Sequence, residues 1–517
     1  MKPQPHSATE TNYGRGRQAT PVMVAFYHDI EQGLDSDADP ERCRQVVKEF
    51  LALERRFHIR ATYNVVGKIF AEQPDLIDWI TQDGHEIAFH SYDHRPDWQA
   101  CHSSGQVDRC RTVSPAIRGY RSPRSEIDQA AIQRLWEQGF LWNAEGDSRL
   151  EPYFIYKGLV RLPIATDDWP LHCGAVGGAE YLRRFSKLLS SRTYVALGFH
   201  DSVTSYAPEE RLKLWEGLLE IAAQANVQPV TFSEAADLFR RAAVARYYTQ
   251  AATDWNRDTQ TLYRTKRFQE MIRAAAQALD TPVIADLGSG GGVLSAPTKD
   301  VARRIYCVDN APGMVAAVDA SACMEGRLGE VTDSGLPDHS VDLVICARVI
   351  EYLFWPERLA EEIKRIGKLG ATYFVTFPAF RGTPPANEGC PPDRIRRHFT
   401  PEDIRCWAQS IGPGRLIGVQ YESAEPSDPE AERRYRMMDD DPPPQVLPMN
   451  WVFIGTIEHA DWRGGHFRVL PVAAAAFRFP STRSEWIMAL LRRLWRWLRP
   501  AVRRITRPAM RRREPGA

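Results

Sequence analysis

"GHEIAFHSYDH" runs from Gly84 to His94. A short apolar run, Ile87 to Phe89, leads into a polar end carrying His90 and His94 four residues apart. A brief apolar segment bounded by turn residues is the pattern of a buried strand. In parallel α/β folds, chemistry gathers where such strands end. Two imidazoles at this spacing suit a metal ion. They equally suit a polar surface turn, so the flanking sequence has to decide. His85, at the start of the run, is read as structural.

Working outward, the texture repeats. "PVMVAFYHDIE" from Pro21 reads as a buried strand, and "PERCRQVVKEFLALERRF" from Pro40 has apolar residues at helical spacing. "IRATYNVVG" is a second strand, and "PDLIDWITQDG" is a helix closed by Gly84. This β-α-β-α rhythm continues to "NVQPVTFSEAADLF" near Phe239 and implies a parallel sheet or barrel.

Five successive strand ends then deliver titratable groups. "FYHDIEQG" supplies Asp29 and Glu31, "FHSYDH" supplies His90 and His94, and "GYRSPR" supplies Arg121. "LPIATDDW" supplies Asp167 and Asp168, and "YVALGFHD" supplies His200 and Asp201. Two imidazoles and a carboxylate make a metal site with open positions. A metal there polarises a carbonyl and activates water. A second carboxylate takes the water's proton, a separate histidine protonates the leaving group, and an arginine keeps the base ionised.

These motifs resemble the polysaccharide deacetylase family (the NodB-homology domain, carbohydrate esterase family 4) over roughly residues 20–240. "HSYDH" fits its H-S/T-x-x-H motif, "RATYNVVGK" resembles the strand before it, "GYRSP" fits R-x-P, and "GFHD" resembles the last motif. The resemblance implies a distorted (β/α) barrel and metal-dependent removal of an N-acyl group from an amino sugar. It implies Asp29, Arg121 and His200 as catalytic residues and Glu31, His90 and His94 as metal ligands, the metal being zinc or similar. One departure stands out. The family's first motif has two adjacent aspartates, whereas this chain reads His28-Asp29-Ile30-Glu31. Either Asp29 is the base and Glu31 the ligand, which is preferred, or Asp29 is the ligand and His28 stands at the base position. Asp167 or Asp168 orients His200. The rival to an active barrel is a degenerate, glycan-binding one beside an active second domain.

That second domain opens at "VIADLGSGGGVLS", Val283 to Ser295. A strand ends in an acidic residue and a turn with Gly288, Gly290 and Gly292 at alternate positions. Glycines there allow positive φ and close approach of backbone to a ligand. "RRIYCVDNAPGM" follows and ends a second strand at Asp309, an acid placed to bind a ribose. "GLPDHSVDLVICARVIEYL" gives a further loop, a strand and a helix start at Glu351 and Tyr352. The order resembles the class I S-adenosylmethionine-dependent methyltransferases over about residues 245–460. "DLGSGGG" fits their D-x-G-x-G-x-G motif, while the alternate glycines disfavour the dinucleotide fingerprint. The resemblance implies a seven-stranded doubly wound sheet and methyl transfer. It implies Asp286, Gly288, Gly290, Gly292 and Asp309 at the S-adenosyl-L-methionine site, with Glu330 or Asp333 at the adenine side.

Bulk composition agrees with several domains. The chain has 517 residues, 43% hydrophobic and 26% charged, with 66 basic and 66 acidic side chains, so no overall bias toward nucleic acid. Nine dispersed cysteines argue against a disulfide framework. Residues 1–20 read as a disordered leader without a secretory signal, and no stretch approaches a membrane span. An acidic, Pro-rich insertion between about Ser423 and Pro448 reads as a mobile loop. Residues 481–517 interleave Trp486, Leu490, Leu494, Trp495 and Leu498 with arginines, an amphipathic basic helix suited to an anionic bilayer surface.

The expected architecture is therefore a leader (1–20), a (β/α) barrel (21–240), a Rossmann-like methyltransferase sheet (245–460) and a basic tail (481–517). The expected function is a bifunctional enzyme of surface-polysaccharide or glycolipid synthesis. It would act on an amino-sugar saccharide, lipid-linked or nucleotide-linked, in the cytoplasm or at the inner membrane face.

Overall fold

The computed structural model describes residues 21–94, 103–261, 263–319, 321–380, 397–421 and 448–458. The leader, most of the expected 423–448 loop and the amphipathic tail lie outside them. Pro448 itself opens a strand.

Ten strands form the first sheet: β1 (Val22–Ile30), β2 (Thr62–Val65), β3 (Glu86–Phe89), β4 (Gly119–Tyr120), β5 (Trp142–Gly146), β6 (Tyr153–Tyr156), β7 (Leu159–Ile164), β8 (Thr166–Asp167), β9 (Tyr194–His200) and β10 (Val227–Val230). Their order is β6-β7-β5-β4-β3-β2-β1-β9-β8, with β10 also paired to β1. All pairings are parallel except β6 with β7. One residue, Ala165, separates β7 on one flank from β8 on the other, and its N–H donates to the Ala196 carbonyl of β9. The sheet must curl until its flanks meet, which is the distorted barrel expected.

β1 is buried along nearly its whole length because both of its faces are covered. Helix Pro40–Arg56 lays Val46, Val47, Phe50 and Leu51 into the cluster that holds Phe26 and Trp215. Each such side chain contributes roughly 1.5–3 kcal/mol by leaving water. The helix starts cleanly, with Pro40 at its first position and the Asp39 carboxylate accepting the Glu41 N–H at 3.1 Å.

The second sheet has β11 (Val283–Leu287), β12 (Arg304–Asp309), β13 (Met324–Leu328), β14 (Val341–Cys346), β15 (Gly367–Pro378), β16 (Gly414–Tyr421) and β17 (Pro448–Thr456). The order is β13-β12-β11-β14-β15-β17-β16, parallel except that β17 runs antiparallel to both β15 and β16. Strand order reverses between β11 and β14, so a crevice opens beyond their C-terminal ends. This is the doubly wound seven-stranded sheet expected. After β14 the chain makes a short 3-10 turn, Ile350–Tyr352, and the α-helix starts only at Pro356. The helix start expected at Glu351 is displaced because proline is best accommodated in a first turn.

Helix Phe232–Thr261 leaves the first sheet, and helix Tyr263–Gln277 follows it before the second sheet begins. The division expected between residues 240 and 245 falls inside the first of these helices. The seven described cysteines are all free thiols. Among the described residues, no helix is long and apolar enough to cross a membrane.

Candidate active sites

The barrel brings Glu31, His90 and His94 together: one ligand atom from each lies within 4.8 Å of the others. Glu31 Oε1 is 3.1 Å from His94 Nε2 and 3.5 Å from His90 Nε2. His90 Nδ1 lies 3.2 Å from the Arg121 carbonyl oxygen, which can only accept. That nitrogen therefore carries the hydrogen, and Nε2 keeps a lone pair. Nε2 is buried with no hydrogen-bond partner among the described residues. A buried lone pair facing a carboxylate is satisfied by a cation between them, so the donor set fits a divalent metal.

Local backbone makes this convergence possible. Ser91 (φ 58°) and His94 (φ 45°) both occupy the left-handed region, which bends the chain back and sets the two rings 5.1 Å apart. Asp93 fastens the bend, accepting from Gln106 Nε2 at 2.9 Å and Arg109 Nη1 at 2.8 Å. Asp201 clamps the other side, its carboxylate accepting the Glu31 and Gln32 N–H groups at 2.9 and 3.0 Å. Burial, with Glu31 nearby, pushes Asp201 up to about 6. Ser202 Oγ donates to Glu31 Oε2 at 2.6 Å and leaves Oε1 facing the histidines.

Asp29 lies beside this cluster. Arg121 Nε donates to its two oxygens at 3.0 and 2.7 Å, and Asn64 Nδ2 donates at 2.9 Å. Burial alone would raise the Asp29 carboxyl, but Arg121, then His90 and His200, outweigh it and hold it below its ordinary value. Arg121 is itself buried and steadied by Ser125 Oγ at 2.8 Å, with Glu145 Oε2 at 3.5 Å. His200 Nε2 stands 3.3 Å from Asp29 Oδ2, while its Nδ1 is 2.6 Å from Asp168 Oδ1. Burial opposes the imidazolium, yet Asp168 dominates and lifts His200 well above its ordinary value.

The two open assignments are separated by geometry. Asp168 contacts His200; Asp167 lies 3.9 Å from Arg121 instead. His28 points away from the cluster, its Nε2 2.7 Å from Glu54 Oε1 and its ring stacked on Phe50. His28 is thus a wall residue, and Asp29 is the carboxylate beside Arg121. His85 is structural as expected, its Nδ1 accepting the Ala61 N–H at 3.1 Å. Sequence reasoning missed Asn64, Glu145 and Ser202. Each is an ordinary polar residue at a strand end or helix start, and only the closed barrel brings it to the site.

In the second sheet, a cavity opens at the switch point. Gly288, Gly290, Asp309, Glu330, Arg348 and Tyr352 line it, together with Arg241, Tyr248 and Trp255 of the connecting helix. Gly288 (φ 71°) and Gly290 (φ 54°) are left-handed, and a Cβ on Gly288 would meet Val349 Cγ2 at 2.2 Å. Asp309 Oδ2 accepts the Gly290 N–H and Oδ1 the Ala311 N–H, both at 2.9 Å. The loop is therefore tied to the acid, which lines the cavity and has acceptor capacity left over, a fit for a nucleoside diol. Glu330, not Asp333, is the acid on the wall.

Two expected cofactor contacts are corrected. Asp286 is buried under the loop, where it accepts Ser295 Oγ at 2.7 Å, and Gly292 packs against Met324 and Cys307. Neither lines the cavity; both shape the loop from below. Burial pushes Asp286 up to about 7. The part this connecting helix plays in the cavity was missed because its mixed polarity gives it no apolar stripe to mark the cavity-facing side.

Comparison with known proteins finds a match over part of each sheet. The polysaccharide deacetylase family model matches residues 33–140, and a methyltransferase domain model matches residues 285–375. A chitooligosaccharide deacetylase of Bradyrhizobium sp. (strain ANU 289) is 29% identical over 137 residues, 26% of this chain and 57% of that protein. One from Rhizobium leguminosarum bv. trifolii is 30% identical over 113 residues, 22% of this chain and 47% of that protein. The chain thus spans about half the length of the curated relatives it matches. A provisionally assigned polysaccharide deacetylase structure from Mycobacterium smegmatis is 21% identical with a TM-score of 0.36, covering 43% of this chain and 91% of that one. The first sheet thus carries a match to the polysaccharide deacetylase family, and the second a match to a methyltransferase domain.

Proposed function

We propose that the chain is a bifunctional enzyme that removes an N-acetyl or similar group from an amino sugar and transfers a methyl group from S-adenosyl-L-methionine to a glycan. In this reading residues 21–240 form the deacetylase and 245–460 the methyltransferase. The observation that carries it is the assembly of Glu31, His90 and His94 beside two paired systems, Asp29 with Arg121 and His200 with Asp168.

Glu31, His90 and His94 would hold a divalent ion, zinc or similar, which supplies a Lewis acid for the acyl carbonyl and its attacking water. Asp29, kept ionised by Arg121, accepts the water's proton. His200, kept protonated by Asp168, donates from Nε2 to the departing nitrogen as the amide C–N bond breaks. Acetate and a free amine leave.

In the second domain Asp309 would hold the ribose and the glycine loop would pass close to the methionine part of the cofactor. Substitution at the methyl group then needs chiefly an acceptor held in line with it. The curated relatives bear the name chitooligosaccharide deacetylase, which supports an amino-sugar saccharide as substrate. Lipid or nucleotide linkage of that saccharide, a cytoplasmic site of action and contact of the basic tail with the inner membrane face complete the proposal.

The test is acetate release from N-acetylated chitooligosaccharides and from lipid- and nucleotide-linked N-acetylated sugars, with zinc or cobalt supplied. Parallel reactions follow labelled methyl transfer from S-adenosylmethionine. Acetate release from at least one acceptor supports the proposal. No release from any of them, with the metal bound, overturns it. The alternative is a degenerate, glycan-binding barrel beside an active methyltransferase, and methyl transfer without acetate release would favour it.

A further inference from the structure

We infer that the methyl-donor cavity is completed by a helix rooted in the barrel, with Arg241 and Tyr248 as its positioning residues, so that cofactor binding and the order of the barrel floor are linked. This rests on the reading of the second cavity as an S-adenosylmethionine site.

The root of the helix is fixed by barrel residues. The Phe232 N–H donates to Thr62 Oγ1 at 2.8 Å, and the Ser233 N–H donates to Glu86 Oε2 at 3.0 Å. Trp142 Nε1 donates to Ser233 Oγ at 2.8 Å. The Phe232 ring lies 5.0 Å from that of Trp142 and 5.4 Å from that of Tyr27. Thr62, Glu86 and Trp142 are the first residues of β2, β3 and β5. The helix therefore leaves from the barrel floor, the end opposite the metal cluster.

Farther along, the same helix builds the cavity. Arg241 Nη1 is 3.2 Å from Glu330 Oε1, and its Nε is 3.0 Å from Asp237 Oδ2 one turn back. Glu330 is a wall acid next to Asn310, the neighbour of Asp309. Burial raises Glu330, and Arg241 is the largest influence opposing that rise. Without the guanidinium, a buried carboxylate would lose its counter-charge and either take a proton or turn to water. Two turns on, Tyr248 Oη meets Tyr352 Oη at 3.0 Å, tying the helix to the segment after β14. Gly313 seats the helix closely: a Cβ there would meet the Thr249 carbonyl oxygen at 2.5 Å.

From Phe232 to Tyr248 the helix rises roughly 24 Å. Over that span its own backbone bonds leave it little freedom to order one end alone. A ligand that fixes Glu330 and Tyr352 must therefore favour the ordered floor, and the ordered floor must favour the ligand by the same factor.

The experiment uses the full chain. Calorimetric titration with S-adenosylmethionine and S-adenosylhomocysteine compares wild type with Arg241→Met, Arg241→Lys and Tyr248→Phe, and circular dichroism confirms that each is folded. Arg241→Met is expected to weaken binding on the order of 10-fold, within the usual range of such couplings. Arg241→Lys should recover most of the loss, and Glu330→Gln added to Arg241→Met should cost little more. Tyr248→Phe should weaken binding several-fold. In wild type, which needs no substitution, S-adenosylmethionine should slow amide exchange in the first helical turns, residues 234–240. Affinity of Arg241→Met equal to wild type, or protection confined to residues 285–355, overturns the inference alone. A wild type that binds neither ligand overturns the reading of the cavity and the inference with it.

Discussion

His200 has its two ring nitrogens 2.6 Å from Asp168 and 3.3 Å from Asp29. The imidazolium is held between two carboxylates, and Asp168 is the stronger influence. An acid that must be protonated loses activity as pH rises through its pKa. A raised pKa therefore extends activity to higher pH. Asp168→Asn should draw the basic limb of the pH–rate curve downward and reduce deacetylation on the order of 10²-fold. A basic limb that stays in place would remove Asp168 from the account. Asp286 illustrates the opposite sign. Its folded value of about 7 lies well above that of an unfolded aspartate, so between those values the folded state holds the extra proton. Stability conferred by that proton is lost as pH rises through the window. Asp286→Asn can still accept from Ser295, so its melting temperature should exceed that of wild type at pH 8 and approach it near pH 5. Thermal melts at both pH values check this. At this scale the sequence placed titratable groups at the strand ends that the barrel brings together. It could not choose between Asp167 and Asp168, because Asp167 ends β8 and Asp168 lies in the bend just after it, and only the tertiary partner tells which one meets His200.

Helix Pro40–Arg56 shows what an element contributes. Its Glu54 is fully buried and accepts from Tyr63 Oη at 2.6 Å, with His28 Nε2 at 2.7 Å. The extra histidine in the first motif is thus paid for by a carboxylate from the neighbouring helix. Glu54→Ala leaves two buried polar groups facing a void and should destabilise the barrel by roughly 3 kcal/mol. Urea unfolding measures it, and an unchanged midpoint would contradict the pairing. Gly288→Val should abolish S-adenosylmethionine binding, since a positive φ and the Val349 methyl both oppose a side chain there; equilibrium dialysis decides it. Strands and helices were readable here because β1 is a continuous apolar run and Pro40, Pro74 and Gly84 punctuate the helices. The 3-10 turn before Pro356 was not, because "VIEYL" has helical propensity and its early end is set by the proline four residues beyond Tyr352.

Across the whole molecule, the metal cluster and the root of the connecting helix lie at opposite ends of the barrel strands. The metal cluster and its acid–base pairs lie where β1, β3, β4 and β9 end, whereas the helix toward the methyltransferase leaves from where β2, β3 and β5 begin. Asp29→Asn should therefore abolish acetate release while methyl transfer to an acceptor that is already deacetylated continues. Loss of both activities would show that Asp29 serves both reactions, which its place at the metal end does not predict. The two sheets were legible in the sequence because strand-end residues and the glycine loop carry local signals. The role of the helical segment between them was not, because its cavity-facing residues, Arg241, Tyr248 and Trp255, form a pattern only when the second sheet is placed beside it.

Metal held by Glu31, His90 and His94 is what the proposed deacetylation depends on. The metal content of the purified chain and of its His90→Ala, His94→Ala double variant, each after reconstitution, decides it. Close to one zinc, cobalt or similar ion per chain is expected in wild type and none in the variant. Metal absent from both, or retained in full by the variant, would contradict it.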